Sequence, residues 1–301
     1  MAKLFFFFID GIGLGEDDAS INPLLPLFQQ ETGLPFCAGS VPAVTDTCLF
    51  LPMDTHLGVK GTPQSATGQT AIITGKNAPA ELGYHMTAFP NEPLMALIRE
   101  HSLFRDLSSM GIRATCANLY SREFFRSRRE RHRNMLPVSA LSVEAAGLPF
   151  RYIEDYSRGR AVFADITNRM LVDRGFDLPV ISPAQAGRNL LSIFEEADFV
   201  FFEYFLTDTY GHARRHQAIQ EEVATLNEFL STVLHESRGT VDVLIVSDHG
   251  NAENTAVAAH TEHPVPFLLF SRRTDLFPGY RQQIRTLLDI KPAILTYFRS
   301  T

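Results

Sequence analysis

The sequence predicts an α/β protein with a mostly parallel sheet and helices on both faces. Short aliphatic and aromatic runs alternate along the chain with longer segments of helical periodicity. The apolar runs stop abruptly at polar residues or glycine, as buried parallel strands do at the edge of a sheet. Hydrophobic residues make up 45% of the 301 positions and charged residues 20%, which is enough for a large core.

The strands and helices can be assigned in order along the chain. The predicted strands are Leu4–Ile9, Ile112–Leu119, Phe199–Tyr204, Val241–Ser247 and Pro264–Phe270. The predicted helices are one that begins near Ser65, an amphipathic stretch Glu92–Met110 broken near His101, then Pro183–Glu196, Gln217–His235 and a closing helix Ile284–Phe298. Residues 15–60 are rich in Pro, Gly, Asp and Thr, and we expect loops there, even around the apolar piece Cys48–Leu51.

The chain shows no internal repeat and no interdomain linker, so we expect a single domain over residues 1–301. A small lid within residues 118–180 is the largest insertion for which the chain leaves room. Strand and helix segments use most of the remaining residues.

Composition excludes several classes of function. A net charge of −7 argues against a general nucleic-acid binder. Cys37, Cys48 and Cys116 are scattered without a CxxC, which argues against a disulfide framework or a cysteine zinc site. The apolar run at the N-terminus meets Asp10 too soon for a signal peptide or a membrane span. We therefore expect a soluble, cytoplasmic protein, and the sequence does not indicate its oligomeric state.

Polar side chains that bind metal ions follow several predicted strands. They are Asp10, Asp208, His212, Asp248, His249 and His260. Each taken singly could be a turn former or a helix cap. Together, three carboxylates and three imidazoles at one edge of a sheet suit two divalent ions with three protein ligands each. Such a pair can clamp the attacking and leaving oxygens of an in-line displacement.

Two further segments carry candidate chemistry. Ser65 and Thr67 stand at the start of a predicted helix, where a hydroxyl is either an N-cap or the carrier of a phosphoryl group. The run 121–133 holds six arginines and two glutamates. It is typical of a solvated charged helix, or it is a phosphate-gripping patch whose candidate substrate-binding residues are Arg122, Arg126 and Arg129.

The order of these motifs resembles the alkaline phosphatase superfamily of metalloenzymes. It is most similar to the metal-binding domain of cofactor-independent phosphoglycerate mutases and phosphopentomutases. The motifs that carry the resemblance are Asp10 after the first strand, Ser65 ahead of Thr74-Gly75, Asp208-xxx-His212, the run DHGNAE from Asp248, and His260-Thr261 before Pro264-Val265-Pro266. The match is good over residues 1–14, 61–76 and 184–270 and weak over residues 100–180.

The resemblance implies a three-layer α/β/α fold and a role for each site residue. One metal ion would be held by Asp208, His212 and His260, and the other by Asp10, Asp248 and His249. Ser65 would form the phosphoenzyme, and its spacing to Thr74-Gly75 favours it over Thr67. His260 is preferred to His263 because Thr follows it and Pro-Val-Pro begins four residues later.

The chain also departs from the mutases. It has Gly68-Gln69 where they carry Gly-His, and only the 142 residues 66–207 separate Ser65 from Asp208. That length does not accommodate the large second domain that shields a mutase phosphoenzyme from water. The sequence therefore predicts a hydrolase of small phosphoric esters that uses two divalent ions, manganese or zinc, and a phosphoserine. One alternative is a phosphosugar mutase or phosphotransferase, and another is a catalytically silent binding protein. The complete set of ligands and the nucleophile argues against the silent binding protein.

Overall fold

A computed structural model describes residues 2–131 and 136–300, without the side chains of residues 128–131. Seven strands form one sheet in the order β2-β3-β7-β6-β1-β5-β4. The strands are β1 Leu4–Ile9, β2 Ala43–Val44, β3 Cys48–Met53, β4 Ala114–Cys116, β5 Phe199–Tyr204, β6 Asp242–Val246 and β7 Val265–Phe270.

The parallel core of the sheet is centred on β1. This strand pairs in parallel with β5 on one side and β6 on the other, and β4 continues the parallel order beyond β5. All six residues of β1 are buried. Since strand side chains alternate between faces, Phe6 packs into one core and Phe5 and Phe7 into the other. The predicted parallel core is confirmed.

An antiparallel arm extends the sheet beyond β6. Strand β7 is antiparallel to β6, β3 is antiparallel to β7, and β2 completes the edge. The expectation of loops throughout residues 15–60 is therefore wrong for Cys48–Met53, which pairs along its whole length with Val265–Phe270. Its partner lies more than 200 positions away, and no local pattern in residues 15–60 indicates that pairing.

Helices occupy the connections between strands. They are α1 Gln29–Thr32, α2 Ser65–Thr74, α3 Ala78–Leu82, α4 Glu92–His101, α5 Leu103–Ser109, α6 Arg122–Arg131, α7 Val138–Ala145, α8 Ile153–Tyr156, α9 Arg169–Val172, α10 Pro183–Ile193, α11 Leu206–His212, α12 His216–Glu236, α13 Phe277–Gln283 and α14 Ile290–Arg299. One face of the sheet packs on α2, α4, α5, α7 and α14, and the other packs on α10 and α12. The predicted α/β class with helices on both faces is confirmed.

Two predicted elements are longer than the observed ones. The closing helix begins at Ile290 rather than Ile284, because Asp289 accepts hydrogen bonds from the backbone of Arg285 and Thr286 and holds that stretch in a 3-10 turn. The strand predicted over Ile112–Leu119 is regular only at Ala114–Cys116. Beyond it, Asn118 and Leu119 make isolated bridges to Val162 and Arg151.

A small third apolar cluster stands apart from the two main cores. Its buried members are Leu119, Tyr156, Ala161 and Leu171. It falls within the segment predicted to provide a lid. No helix in the described part of the chain has the length and apolar character needed to cross a membrane.

Candidate metal centre

The topology brings distant parts of the chain to one edge of the sheet. Strands β1, β5 and β6 run in parallel, with Ile9 paired with Tyr204 and Phe8 paired with Val246 at their ends. The residues that follow them therefore meet at the same edge. Strand β7 runs the opposite way, so the residues that precede Val265 reach this edge as well. Asp10, the Asp208 region, Asp248-His249 and His260 arrive from four separate segments.

The first group of ligand atoms is formed by Asp10, Asp248 and His249, all buried. The Nε2 atom of His249 lies 3.3 Å from Oδ1 of Asp10 and 3.5 Å from Oδ2 of Asp248. It is also 2.9 Å from Oγ of Ser65. One ring nitrogen thus faces three oxygens, although it carries at most one hydrogen.

The second group is formed around Asp208. Its Oδ1 lies 3.4 Å from Nε2 of His260 and its Oδ2 lies 3.5 Å from Nε2 of His212. The two imidazole Nε2 atoms are 3.0 Å apart. His249 is close enough to Asp208 and His260 to offer a ligand atom to this group too. All six residues predicted as metal ligands are therefore brought together, although His212 remains about half exposed, at 49%.

The three histidines share one orientation. Each places Nδ1 near a backbone carbonyl: Gly250 for His249 at 3.4 Å, Pro63 for His260 at 2.9 Å, and Ala258 for His212 at 2.9 Å. An Nδ1–H that donates to a carbonyl leaves the Nε2 lone pair free, which is how proteins orient imidazoles toward a metal ion. All three Nε2 atoms point into the cluster.

The electrostatics of the cluster also suit bound cations. Burial, together with the neighbouring Asp248 carboxylate, raises the pKa of Asp10 to about 8. Burial likewise raises the pKa of Asp248. Oδ1 of Asp10 and both carboxylate oxygens of Asp248 are buried without a hydrogen-bond partner. A buried carboxylate oxygen without a hydrogen-bond donor costs folding free energy unless a bound cation replaces the donor. These residues therefore fit divalent ions.

The structure separates the alternative residues from the preferred ones. Ser65, the first residue of α2, points its hydroxyl at His249. Thr67 is buried and donates instead to the carbonyl of Gln64, at 3.1 Å. His263 turns away from the cluster and places Nδ1 3.0 Å from Glu253. The role of Ser65 remains a prediction, and its geometry suits that role better than the geometry of Thr67.

A buried carboxylate, Glu253, holds the loops that carry the ligands. It accepts hydrogen bonds from the backbone amides of Gly13 at 2.9 Å and Asn251 at 2.8 Å. It also accepts from the Thr261 hydroxyl and from His263. Burial raises the pKa of Glu253, but the bonds from His263 and Thr261 outweigh burial and hold that pKa below 4.5. The sequence reasoning gave this residue no role, although it ends the DHGNAE run.

Two amides also contact the ligand residues directly. Asn251 donates to Oδ1 of Asp208 at 2.6 Å. Gln69, which stands where the mutases carry histidine, donates to Oδ2 of Asp10 at 3.4 Å. The glutamine that replaces the histidine of the mutases thus still makes a polar contact with a candidate metal ligand.

Helix α2 approaches the ligand loop so closely that only glycine fits at position 68. A Cβ atom there would lie 2.9 Å from Cβ and 3.0 Å from the backbone oxygen of Asp248. Contacts this short do not occur between real atoms without a shift of one partner. Gly68 therefore sets the distance between Ser65 on α2 and the ligands on the loop after β6.

The arginines predicted to bind substrate are Arg122, Arg126 and Arg129. Arg122 is 73% exposed, pairs with Glu154 at 3.4 Å and stacks over the Tyr152 ring. Arg126 pairs with Glu123 one helical turn away. The side chain of Arg129 falls outside the described residues. Neither of the two described arginines lines the cavity beside Ser65, and a substrate contact by any of the three stays a prediction.

A cavity of about 510 Å³ opens next to this cluster, and Ser65, Asp10 and Asp208 form part of its wall. Glu203, near the end of β5, also lines it, and burial raises the pKa of that carboxyl to about 7. The cavity is of the size that binds small molecules in other proteins. Many of the lining residues fall within residues 118–180, the segment in which the sequence leaves room for a small lid.

Comparison with known proteins agrees with this geometry. Residues 179–301 match the family model described as the metalloenzyme superfamily. The fold matches an alkaline phosphatase from the Antarctic bacterium TAB5 with a TM-score of 0.51, over 98% of this chain and 97% of that one, at 13% identity. The C-terminal part of the chain is thus similar to the metalloenzyme superfamily, and the whole chain has an alkaline-phosphatase-like fold.

Further known proteins have similar segments or folds. The PH0037 protein from Pyrococcus horikoshii matches with a TM-score of 0.54 at 14% identity, over 100% of this chain and 98% of that one. The 2,3-bisphosphoglycerate-independent phosphoglycerate mutase of Antithamnion sp. is 31% identical over 130 residues, which are 40% of this chain and 25% of that enzyme. The enzyme of the same name from Ehrlichia canis is 31% identical over 34% of this chain and 21% of its own length. The match thus spans a quarter or less of these mutases.

Proposed function

We propose that the protein is a two-metal-dependent hydrolase of phosphoric esters that acts through a phosphoserine on Ser65. The observation that carries this proposal is the 2.9 Å contact between Oγ of Ser65 and Nε2 of His249. His249 belongs to both groups of candidate ligands. A hydroxyl at the junction of two metal sites is placed to become a nucleophile.

The residues fit two divalent ions in the arrangement predicted from the sequence. Asp208, His212 and His260 would hold one ion, and Asp10, Asp248 and His249 the other. Mixed carboxylate and imidazole ligands suit manganese or zinc. Bound ions would supply positive charge that lowers the pKa of the serine hydroxyl and stabilises the charge on a transferring phosphoryl group.

The chain itself supplies the nucleophile and part of the phosphate site. In the first step, Oγ of Ser65 bonds to phosphorus while the bond from phosphorus to the ester oxygen breaks. The serine proton passes to solvent, and the leaving alcohol takes a proton from solvent. In the second step, water attacks phosphorus, the bond to Oγ breaks, and inorganic phosphate leaves. Ser65 begins helix α2, and a helix N-terminus favours the anionic group throughout.

The test is phosphate release by protein loaded in turn with manganese and zinc. Phosphomonoesters, phosphodiesters and sulfate esters are compared, since metal ligands alone do not select the leaving group. We expect stoichiometric divalent metal, hydrolysis of at least one phosphate ester, and an acid-trapped phosphoserine that Ser65→Ala abolishes and Thr67→Ala retains. Protein without divalent metal, or full activity in Ser65→Ala, would contradict the proposal.

An intramolecular phosphotransferase is the second candidate, because the curated relatives that match this chain are named as mutases. In this alternative, Arg122, Arg126 and Arg129 would clamp the substrate during transfer. Against it, most of the described buried apolar residues between Ser65 and Asp208 pack into the two main cores, and a small additional cluster holds the four others. Incubation with phosphosugars separates the two candidates: a mutase yields an isomer, whereas a hydrolase yields only inorganic phosphate.

A further inference from the structure

The wall of the cavity beside Ser65 is rich in aromatic side chains, which together are called the aromatic wall. Six aromatic side chains line it: Phe89, Tyr120, Phe124, Phe163, Phe176 and Phe205. Two of them, Phe163 and Phe176, pack against the small third apolar cluster, and Phe205 directly follows β5. Aromatic rings favour other rings through offset or edge-to-face contacts.

Charge in the cavity disfavours an anionic leaving group. Among the described lining residues, Arg174 is the single arginine or lysine, and it is exposed. The carboxyl group of Glu203 also lines the cavity, where it accepts a hydrogen bond from Ser139. A carboxylate on the substrate in addition to its phosphate, as in a phosphorylated three-carbon acid, would meet little positive charge beyond the metal site.

The neutral polar side chains in the lining are already engaged with the chain. Asn118 exchanges two hydrogen bonds with the backbone of Glu203, at 2.8 and 2.9 Å. The hydroxyl of Ser121 accepts from the amide of Phe124 at 3.0 Å, and the hydroxyl of Thr209 donates to the carbonyl of Phe205 at 3.2 Å. Few polar side chains in the lining are therefore available to form hydrogen bonds with the hydroxyl groups of a sugar.

We propose that this cavity receives the alcohol half of the ester and that the preferred alcohols carry an aromatic ring. The proposal rests on the proposed function, because Ser65 in the same cavity must be the nucleophile. A volume of about 510 Å³ accommodates a ring system larger than a three-carbon acid. The chemical class is therefore a phosphate ester of an aromatic or aryl-substituted alcohol.

The test compares esters whose leaving alcohols have similar reactivity. Benzyl phosphate and ethyl phosphate both release a primary alcohol, so a difference in kcat/KM reports the ring. We expect kcat/KM for benzyl phosphate to exceed that for ethyl phosphate and 3-phosphoglycerate by about tenfold or more, since burial of a ring adds a large apolar contribution. Equal values for benzyl and ethyl phosphate would overturn the inference and leave the proposed hydrolase intact.

Binding of non-hydrolysable analogues tests the cavity without turnover. Titration calorimetry with benzylphosphonate and ethylphosphonate on metal-loaded protein should show the same preference of about tenfold or more. If benzylphosphonate binds more tightly but no ester is hydrolysed, the proposed function fails and the cavity assignment stands. If the two phosphonates bind equally, the assignment is overturned whatever the activity.

Variants connect the preference to the aromatic wall. Phe163→Ala and Phe176→Ala are each expected to reduce the ratio of benzyl to ethyl affinity about fivefold or more, because each removes a ring from the wall. Two positions are substituted so that, if one variant fails to fold, the other variant still tests the inference. Tyr84→Ala, at an exposed aromatic residue outside the lining, is the matched control and should keep the ratio of the unchanged protein. An unchanged ratio in both wall variants contradicts the inference.

Discussion

Replacement of Glu253 should destabilise the metal centre through the loops that this residue ties together. Its Oε2 accepts from the amides of Gly13 and Asn251, and its Oε1 accepts from the side chains of Thr261 and His263. In Glu253→Ala, the two amides lose their acceptor in a fully buried environment. Each buried donor left unsatisfied costs about 1–3 kcal/mol, so we expect about 3–5 kcal/mol of lost stability.

Glu253→Gln should cost much less, about 1–2 kcal/mol, because one amide oxygen still accepts from the two backbone N–H groups. The amide NH₂ then faces Thr261, whose hydroxyl can turn to accept, and His263, whose neutral ring can accept at Nδ1. The two variants thus separate loss of the bonds from loss of the charge. Glu262→Gln, at the exposed glutamate nine residues further on, is the matched control and should change stability little.

Urea unfolding in the presence of a metal chelator measures these free energies of unfolding. The same measurement with manganese shows how each substitution changes the stabilisation by metal binding. The folded-state pKa of Glu253 is held below 4.5, chiefly by bonds that outweigh burial. Its contribution is therefore present above pH 4.5 and disappears as the pH falls through the lower, folded-state pKa. The stability gap between the unchanged protein and Glu253→Gln should narrow over that range. Equal stability of Glu253→Ala and Glu262→Gln would refute this account.

A histidine titration gives an independent readout of the same contact. The hydrogen bond from His263 to Glu253 raises the pKa of His263 above 6.5. In Glu253→Gln the negative charge is lost, so the pKa of His263 should fall back toward 6.5. NMR titration of the imidazole measures this shift, and an unchanged pKa would mean that the two side chains are apart in solution.

Three further outcomes follow from the packing and charge of the fold. Chelation of divalent ions should lower the thermal midpoint, since an ion at about 100 times its Kd stabilises the folded state by about 2.7 kcal/mol, and an unchanged midpoint in excess EDTA would argue against resident ions. Gly68→Ala should cost about 1–3 kcal/mol and weaken metal binding, because its Cβ would meet Asp248 at 2.9 Å; Gly279→Ala in α13, where a Cβ meets nothing within 4 Å, should be neutral or stabilising by calorimetry. Asp198→Asn should cost about 1–3 kcal/mol at neutral pH, since Asp198 is buried and accepts two guanidinium bonds from Arg113 at 2.7 and 2.9 Å. Those bonds lower the pKa of Asp198 below 3.8, so the difference from the unchanged protein should shrink in acid, as unfolding at low pH would show.

Much of the fold could be predicted because its signals are local. The strands β1, β5, β6 and β7 each appear in the sequence as an apolar run that ends in polar residues, and the break between α4 and α5 falls at Ser102 as predicted. The ligand residues follow those strands directly, so parallel order alone brings them to one edge. Strand β3 was missed because its only regular partners are β2 and the distant β7.

The sequence by itself determined the α/β class, the parallel core and the set of candidate metal ligands, since each depends on a short pattern and on the side-chain period of a strand. Only the tertiary structure decided how those residues are oriented. The carbonyls that face Nδ1 of His212 and His260, the Gly13 amide that donates to Glu253, and the aromatic wall beside Ser65 all join segments far apart in the chain. Such contacts depend on packing in three dimensions, which no local pattern of residues encodes.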